Sequence, residues 1–172
     1  IKLEKEDYTF LFESVEKGSQ KGRYSVIGLK PDLIWECKNN NCIITDKTLK
    51  KNYYEKNITP LSSLRNLIKK NKLKMPNQIP SISSGLFGYM GYEMIQYFER
   101  VILSKENNLE LPDSIFIRPS MTLVFDNVND KLFITRSVSP SDKNPKESFN
   151  QAKNDILNLT KKINRSLSKN SL

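Results

Sequence analysis

The six glycines of this chain all lie in two stretches, Phe12-Glu-Ser-Val-Glu-Lys-Gly-Ser-Gln-Lys-Gly-Arg-Tyr-Ser-Val-Ile-Gly28 and Ser84-Gly-Leu-Phe-Gly-Tyr-Met-Gly-Tyr-Glu93. Glycine is used where the backbone needs a positive φ or the close approach of another group. Strands and hairpins surround the two stretches, with about three helices between them and no regular strand–helix alternation. This order predicts an α+β fold with mainly antiparallel sheets.

Alternating apolar residues predict most of the strands. Separate strands are predicted at 8–15 and 24–29, and a buried strand at 83–89, where close backbone packing explains the glycines better than a ligand does. Two hairpins are predicted, one joining 32–37 to 42–45 and the other joining 115–125 to 131–137. The polar stretch 47–57 has no pattern that predicts an element.

Three helices are predicted from their caps and apolar faces. Thr59 suits an N-cap and Pro60 the first helical position, where its missing N–H costs nothing. Asn144 and Pro145 repeat this arrangement at the last helix, and a further helix is predicted at 93–100. The core-facing residues are expected at three- and four-residue steps, namely Leu61, Leu64, Leu67 and Ile68 in the first helix and Phe149, Ala152, Ile156, Leu159 and Ile163 in the last.

The composition of the chain argues against several classes of function. The chain has 172 residues, enough for one well-buried domain, so a single domain over 1–172 is expected. A net charge of +9 invites a nucleic-acid interpretation, but the lysines are scattered among asparagines, which favours a solvated basic face. The absence of histidine excludes any histidine-based catalytic or metal site within the chain. The longest apolar runs are far too short to span a membrane.

Cys37 and Cys42 are the two cysteines, and the first hairpin would place them opposite each other. A disulfide is geometrically feasible in that position. Free thiols in a reducing cytoplasm are the favoured prediction.

The first glycine stretch contains a candidate site for a small zwitterion. Glu13 and Ser14 end one predicted strand, and Arg23 begins the next. Glu13 suits an ammonium group and Arg23 a carboxylate. The alternative is an internal Glu13–Arg23 ion pair with a turn serine, and the chemistry of the residues alone favours that alternative.

Three ordered blocks of this sequence resemble the N-terminal domain of anthranilate synthase component I. The first joins Phe10-Leu-Phe-Glu-Ser-Val-Glu-Lys-Gly18 to Gly22-Arg-Tyr-Ser-Val-Ile-Gly-Leu-Lys-Pro31, with Leu11-Phe12 where Leu-Leu is commoner. The second runs from Gly85 to Glu99 and contains Gly-Tyr-Met-Gly-Tyr. The third contains Leu111-Pro-Asp113, Leu123-Val-Phe-Asp-Asn-Val128 and Lys131-Leu-Phe-Ile134.

The resemblance implies a cytoplasmic enzyme of tryptophan biosynthesis. The complete component is a lyase that converts chorismate to anthranilate, with Mg²⁺ as cofactor and ammonia supplied by a glutamine amidotransferase, component II. The catalytic residues and metal ligands belong to a C-terminal chorismate-binding domain. We expect that domain to lie outside this chain, which would also be truncated at its N-terminus. The chain would then hold no catalytic or metal-ligating residue and be inactive alone.

The resemblance also assigns a regulatory role to the candidate site. The family's Glu-Ser motif matches Glu13 and Ser14, and a basic position in the next segment matches Arg23. These residues would form part of an allosteric site for feedback inhibition by L-tryptophan. The remaining contacts would come from the catalytic domain.

Two other functions remain open at this stage. The N-terminal domain of aminodeoxychorismate synthase component I, from the folate and p-aminobenzoate pathway, shares the Glu-Ser and Arg-Tyr-Ser elements. The helix after Thr59 favours the anthranilate enzyme. A stand-alone module that binds an aromatic amino acid is the second alternative, and it would bind tryptophan without any catalytic domain.

Overall fold

The computed structural model describes residues 7–14, 22–101, 110–138 and 144–165. Within these ranges lie seven strands, two α-helices and two 3₁₀ helices. The strands are β1 (Phe10–Phe12), β2 (Tyr24–Lys38), β3 (Asn41–Asp46), β4 (Lys51–Glu55), β5 (Phe87–Met90), β6 (Ser114–Asp126) and β7 (Lys131–Arg136). The α-helices are α1 (Pro60–Lys70) and α2 (Pro145–Asn164), and the 3₁₀ helices are Ser81–Ser83 and Tyr92–Tyr97.

The strands form a sheet in which neighbours follow the order β4-β3-β2-β6-β5, with β1 paired to β2 and β7 to β6. The pairs β1–β2, β2–β3, β3–β4, β5–β6 and β6–β7 are all antiparallel. The predicted α+β fold with mainly antiparallel strands is confirmed. No helix within the described ranges is both long enough and apolar enough to cross a membrane.

Contacts divide the chain into two compact units. Unit 1 comprises Ile1–Lys30, Pro76–Ser83 and Ser120–Leu172, and unit 2 comprises Pro31–Met75 and Ser84–Pro119. Each unit has a hydrophobic core of its own. The single domain expected over 1–172 stays a prediction.

The core of unit 2 forms between β2 and α1. Alternate residues of β2 lie on one face of the strand and are buried together with a residue of β3, two leucines of α1 and Met94; the set is Leu33, Trp35, Cys37, Cys42, Leu64, Leu67 and Met94. Helix α1 begins as predicted, because Thr59 Oγ1 accepts a hydrogen bond from Ser62 N at 3.3 Å and Pro60 follows the cap. Ile68 was wrongly assigned to the apolar face, since it is 53% exposed.

The first hairpin matches its prediction. Asn39 and Asn40 have φ values of 48° and 64°, the left-handed pair that a two-residue type I′ turn requires. Cys37 and Cys42 are direct partners across β2 and β3, and both are free thiols. Strand β4, which pairs with β3, lies in the polar stretch for which the sequence predicted no element.

Strand β2 corrects the prediction of two separate strands at 24–29 and 32–37. It runs unbroken from Tyr24 to Lys38 through Lys30 and Pro31. Proline has no backbone N–H to donate to a neighbouring strand, so the strand was expected to be interrupted at Pro31. Just before Pro31 the backbone departs from extended geometry, because Lys30 has a φ of 50°. The Lys30 carbonyl accepts a hydrogen bond from Ser120 Oγ.

The second glycine stretch also differs from its prediction. Residues 83–89 do not form a buried strand, because Ser81–Ser83 is a 3₁₀ helix and β5 begins only at Phe87. β5 lies at the end of the strand order and is largely exposed. The close backbone approach is present at Gly88, where an added Cβ would lie 1.9 Å from the Ile115 carbonyl oxygen. The helix predicted at 93–100 is the 3₁₀ helix Tyr92–Tyr97.

The core of unit 1 forms between the β6–β7 hairpin, β2 and α2. Leu29, Met121, Leu123 and Leu159 are its buried residues. Helix α2 begins as predicted, with Asn144 Oδ1 accepting a hydrogen bond from Lys146 N at 2.9 Å. Phe149 was wrongly assigned to the core, since it lies near the start of α2 and is 66% exposed.

Candidate ligand-binding site

The candidate site lies in unit 1, where β1 ends and β2 begins. Phe12 pairs with Val26, so the chain leaving β1 runs beside the chain entering β2. Ser14 lies against Gly22, because a Cβ added to Gly22 would be 2.1 Å from Ser14 Oγ. Gly22 therefore allows a close approach that any side chain would obstruct. The structure brings Ser14 to the segment that carries Arg23.

Glu13 and Arg23 are both exposed. Within the described residues, the carboxylate that pairs with Arg23 is that of Asp126 and not that of Glu13. The internal Glu13–Arg23 pair that the sequence favoured on chemistry alone is therefore wrong for this structure. The polar, glycine-bearing sequence from Glu16 to Gly22 predicts a loop between the two strands, and only Gly22 of it lies within the described residues.

Three contacts define the position of the Arg23 guanidinium. Its Nε and Nη2 donate to the two carboxylate oxygens of Asp126 at 3.4 and 3.2 Å. Its central carbon lies 4.8 Å from the centroid of the Tyr24 ring. A guanidinium carries five N–H donors, so the pair with Asp126 leaves the edge at Nη1 for another acceptor. The Arg23 side chain is 53% exposed, so part of it remains accessible to a ligand.

Asp126 is itself held by the turn that joins β6 to β7. Its carboxylate accepts from the backbone N–H groups of Val128 and Asn129, both at 3.2 Å, and from Asn129 Nδ2 at 2.8 Å. Arg23 and then Asn129 and Val128 lower the pKa of Asp126 to about 2, because each donates to the charged form. Asp126 in turn raises the pKa of Arg23.

The same turn fixes the backbone before β2. Asn127 N donates to the Arg23 carbonyl at 2.8 Å, and Asn127 Nδ2 donates to the Gly22 carbonyl at 3.1 Å. Sequence reasoning missed Asp126, Asn127 and Asn129 as part of this site. The Asp-Asn-Val-Asn run is typical of a turn, but nothing in it indicates a partner 103 positions earlier.

The described residues do not fit the Mg²⁺ ion that the resemblance implies. Among them, no three His, Cys, Asp or Glu side chains lie close enough together to hold a metal. Asp126, the carboxylate at the candidate site, already accepts five hydrogen bonds from Arg23, Val128 and Asn129.

Comparison with known proteins defines the family. The model of the chorismate binding enzyme family matches residues 8–171, and the chain belongs to that family. Within it, the chain is 39% identical over 128 residues to anthranilate synthase component 1 of Cereibacter sphaeroides, an alignment that covers 73% of this chain and 26% of the relative. It is 32% identical over 134 residues to the component 1 of Acetivibrio thermocellus, covering 77% of this chain and 26% of that protein.

A solved structure shows the same fold. The crystal structure of anthranilate synthase component I from Streptococcus pneumoniae superimposes with a TM-score of 0.64 at 18% identity, covering 95% of this chain and 33% of the other. The predicted resemblance to anthranilate synthase component I is confirmed. The chain spans about a quarter of the length of these two curated relatives.

Proposed function

We propose that this chain is the N-terminal regulatory and structural part of an anthranilate synthase component I. Support comes from the family match over 8–171, from relatives at up to 39% identity and from the share of their length that the chain spans. In this proposal the rest of the polypeptide converts chorismate to anthranilate in the cytoplasm, with Mg²⁺ and with ammonia from a glutamine amidotransferase component II. The catalytic and metal-ligating residues lie outside the chain, which makes no anthranilate alone.

Glu13, Ser14 and Arg23 form the part of an L-tryptophan feedback site that this chain contributes. The observation that carries this assignment is the contact of Ser14 with Gly22, which brings the hydroxyl beside the residue that bears the guanidinium. The accessible edge of Arg23 suits the tryptophan carboxylate, and the exposed Glu13 suits the ammonium group. Ligand bound here biases the arrangement of the regulatory part against the catalytic part, with an allosteric coupling of about 1–3 kcal/mol.

The test uses the full-length enzyme that carries this chain. Anthranilate formation from chorismate is measured at increasing L-tryptophan concentration for the wild type and for Ser14→Ala and Arg23→Ala. Both variants are expected to raise the inhibition constant for tryptophan, because each removes a contact with the ligand. Ser148→Ala, on α2, is the matched control and keeps the wild-type constant. Thermal melting shows that each variant is folded.

Two outcomes contradict the proposal. Formation of aminodeoxychorismate instead of anthranilate assigns the chain to the folate enzyme. Unchanged inhibition in both Ser14→Ala and Arg23→Ala removes these residues from the feedback site.

A further inference from the structure

We propose that Asp126 is a positioning residue for the feedback site: it fixes the Nε/Nη2 edge of the Arg23 guanidinium so that the remaining edge, formed by Nη1 and the second N–H of Nη2, binds the carboxylate of an α-amino acid. This inference rests on the proposed function, because it deepens the role given there to Arg23. Asp126 touches the ligand at no point and acts only through Arg23. The turn between β6 and β7 thereby becomes part of the regulatory site.

The first argument is the contrast in exposure across the pair. The Asp126 side chain is 3% exposed, whereas that of Arg23 is 53% exposed. A surface ion pair in which both groups are mobile contributes little order. Here the carboxylate is the buried and fixed member, so it defines where the guanidinium lies.

The second argument is that the carboxylate is oriented independently of Arg23. Val128 N, Asn129 N and Asn129 Nδ2 hold it at 3.2, 3.2 and 2.8 Å, all from the turn that follows β6. These donors occupy both oxygens, since two bind Oδ1 and one binds Oδ2. The direction in which the carboxylate faces Arg23 is therefore set by local hydrogen bonds.

The third argument is that Arg23 is restrained on a face as well as an edge. The Tyr24 ring lies 4.8 Å below its central carbon, and Asn127 N holds its backbone carbonyl at 2.8 Å. A side chain ordered before binding loses less conformational entropy when a ligand arrives. A planar carboxylate facing two parallel N–H groups is the ligand chemistry that a fixed guanidinium selects.

The experiment measures inhibition of the full-length enzyme by two probes, L-tryptophan and L-tryptophanamide, which lacks the carboxylate charge. Asp126→Asn keeps the shape of the side chain and removes its charge. We expect it to raise the inhibition constant for tryptophan on the order of tenfold, the loss typical of one charge-assisted hydrogen bond. The constant for tryptophanamide is expected to change much less, because no ligand carboxylate depends on Arg23.

A double-mutant cycle separates positioning from a general structural effect. In an Arg23→Ala background, Asp126→Asn has nothing left to position, so it is expected to cause no further rise in the tryptophan constant. Asp155→Asn breaks the similar Arg136–Asp155 pair of 3.2 Å in the same unit and serves as the matched control with wild-type inhibition. Asn129→Ala, which removes the 2.8 Å bond to Asp126, is a milder variant expected to shift the constant in the same direction.

Three results would overturn the inference: a wild-type constant for tryptophan in both Asp126→Asn and Asn129→Ala, an equal rise for both probes, or an undiminished rise in the Arg23→Ala background. If Ser14→Ala and Arg23→Ala relieve inhibition while Asp126→Asn does not, the feedback site stands and only the positioning role fails. If no variant changes inhibition, the proposed function fails first.

Discussion

Trp35 of β2 donates its indole N–H to the hydroxyl of Ser63 in α1 at 2.7 Å, and neither residue is exposed to solvent. This hydrogen bond satisfies the polar atom of the largest buried side chain of unit 2. It also fixes how α1 lies on β2, because the indole has a single donor and one direction in which to use it.

Ser63→Ala should lower the free energy of unfolding by about 1–3 kcal/mol, because it leaves the indole N–H buried without an acceptor. Urea unfolding followed by far-ultraviolet circular dichroism measures the loss, because Trp35 is the only tryptophan in the sequence and a Trp35→Phe variant has no tryptophan fluorescence to follow. In a Trp35→Phe background the same substitution should cost clearly less. An equal cost in both backgrounds would contradict the role given to this bond.

The apolar face of α1 gives a matched pair of truncations. Leu67 is 4% exposed and Ile68, its neighbour, is 53% exposed. Leu67→Ala should lower the free energy of unfolding by about 2–5 kcal/mol through lost burial and the cavity left behind. Ile68→Ala should change it by about 0.5 kcal/mol or less. Chemical denaturation of both variants tests this order, and similar losses would place Ile68 in the core after all.

Cys37 and Cys42 should react slowly with a thiol reagent in the native protein. Both are buried at 2% exposure or less, and a hydrogen bond with Cys42 together with burial raises the pKa of the Cys37 thiol. The same hydrogen bond lowers the pKa of the Cys42 thiol, so burial alone protects Cys42. The thiolate is the reactive form, so the raised pKa slows the modification of Cys37 further. Colour development with an aromatic disulfide reagent, before and after adding denaturant, measures the difference. Rapid labelling of both cysteines without denaturant would contradict their burial.

The stability of the protein should fall in acid through Asp126. Its pKa is about 2 in the folded state, against about 4 for an unfolded aspartate. The folded state therefore favours the charged form, so this contribution is fully present above pH about 4 and is lost as the pH falls towards about 2. The free energy of unfolding is measured between these limits for the wild type and for Asp126→Asn. The difference between the two proteins should shrink as the pH falls. A constant difference would exclude the assigned pKa.

Local signals in the sequence account for the elements that were predicted correctly. Two asparagines that tolerate positive φ defined the β2–β3 turn, and Thr59-Pro60 and Asn144-Pro145 defined where the two α-helices begin. Elements that depend on a neighbouring strand were missed. β4 is polar and exists because β3 offers it a hydrogen-bonding edge, from Cys42 opposite Glu55 to Asp46 opposite Lys51.

In the candidate site, too, the residues with local sequence signals were predicted and those that depend on distant strands were missed. Its three predicted residues, Glu13, Ser14 and Arg23, lie near the two strand ends to which the sequence assigned them, and their role as a tryptophan site stays a prediction. The residues that organise Arg23 were not predicted, because Asp126 and Asn127 reach it only through the paired strands of the sheet.

Ile68 and Phe149 are exposed and were misassigned, because apolar periodicity in a sequence does not show where the buried face of a helix ends.

The 103 positions between Arg23 and Asp126 also place the two residues at different times in synthesis. A ribosome adds about 5–20 residues per second, so Arg23 is made about 5–20 s before its carboxylate. Through that interval a nascent chain carries the guanidinium without the turn that holds it. An oriented Arg23 therefore exists only in chains that have been extended beyond Asn129, and a product that terminates earlier lacks it however well its first hairpin folds.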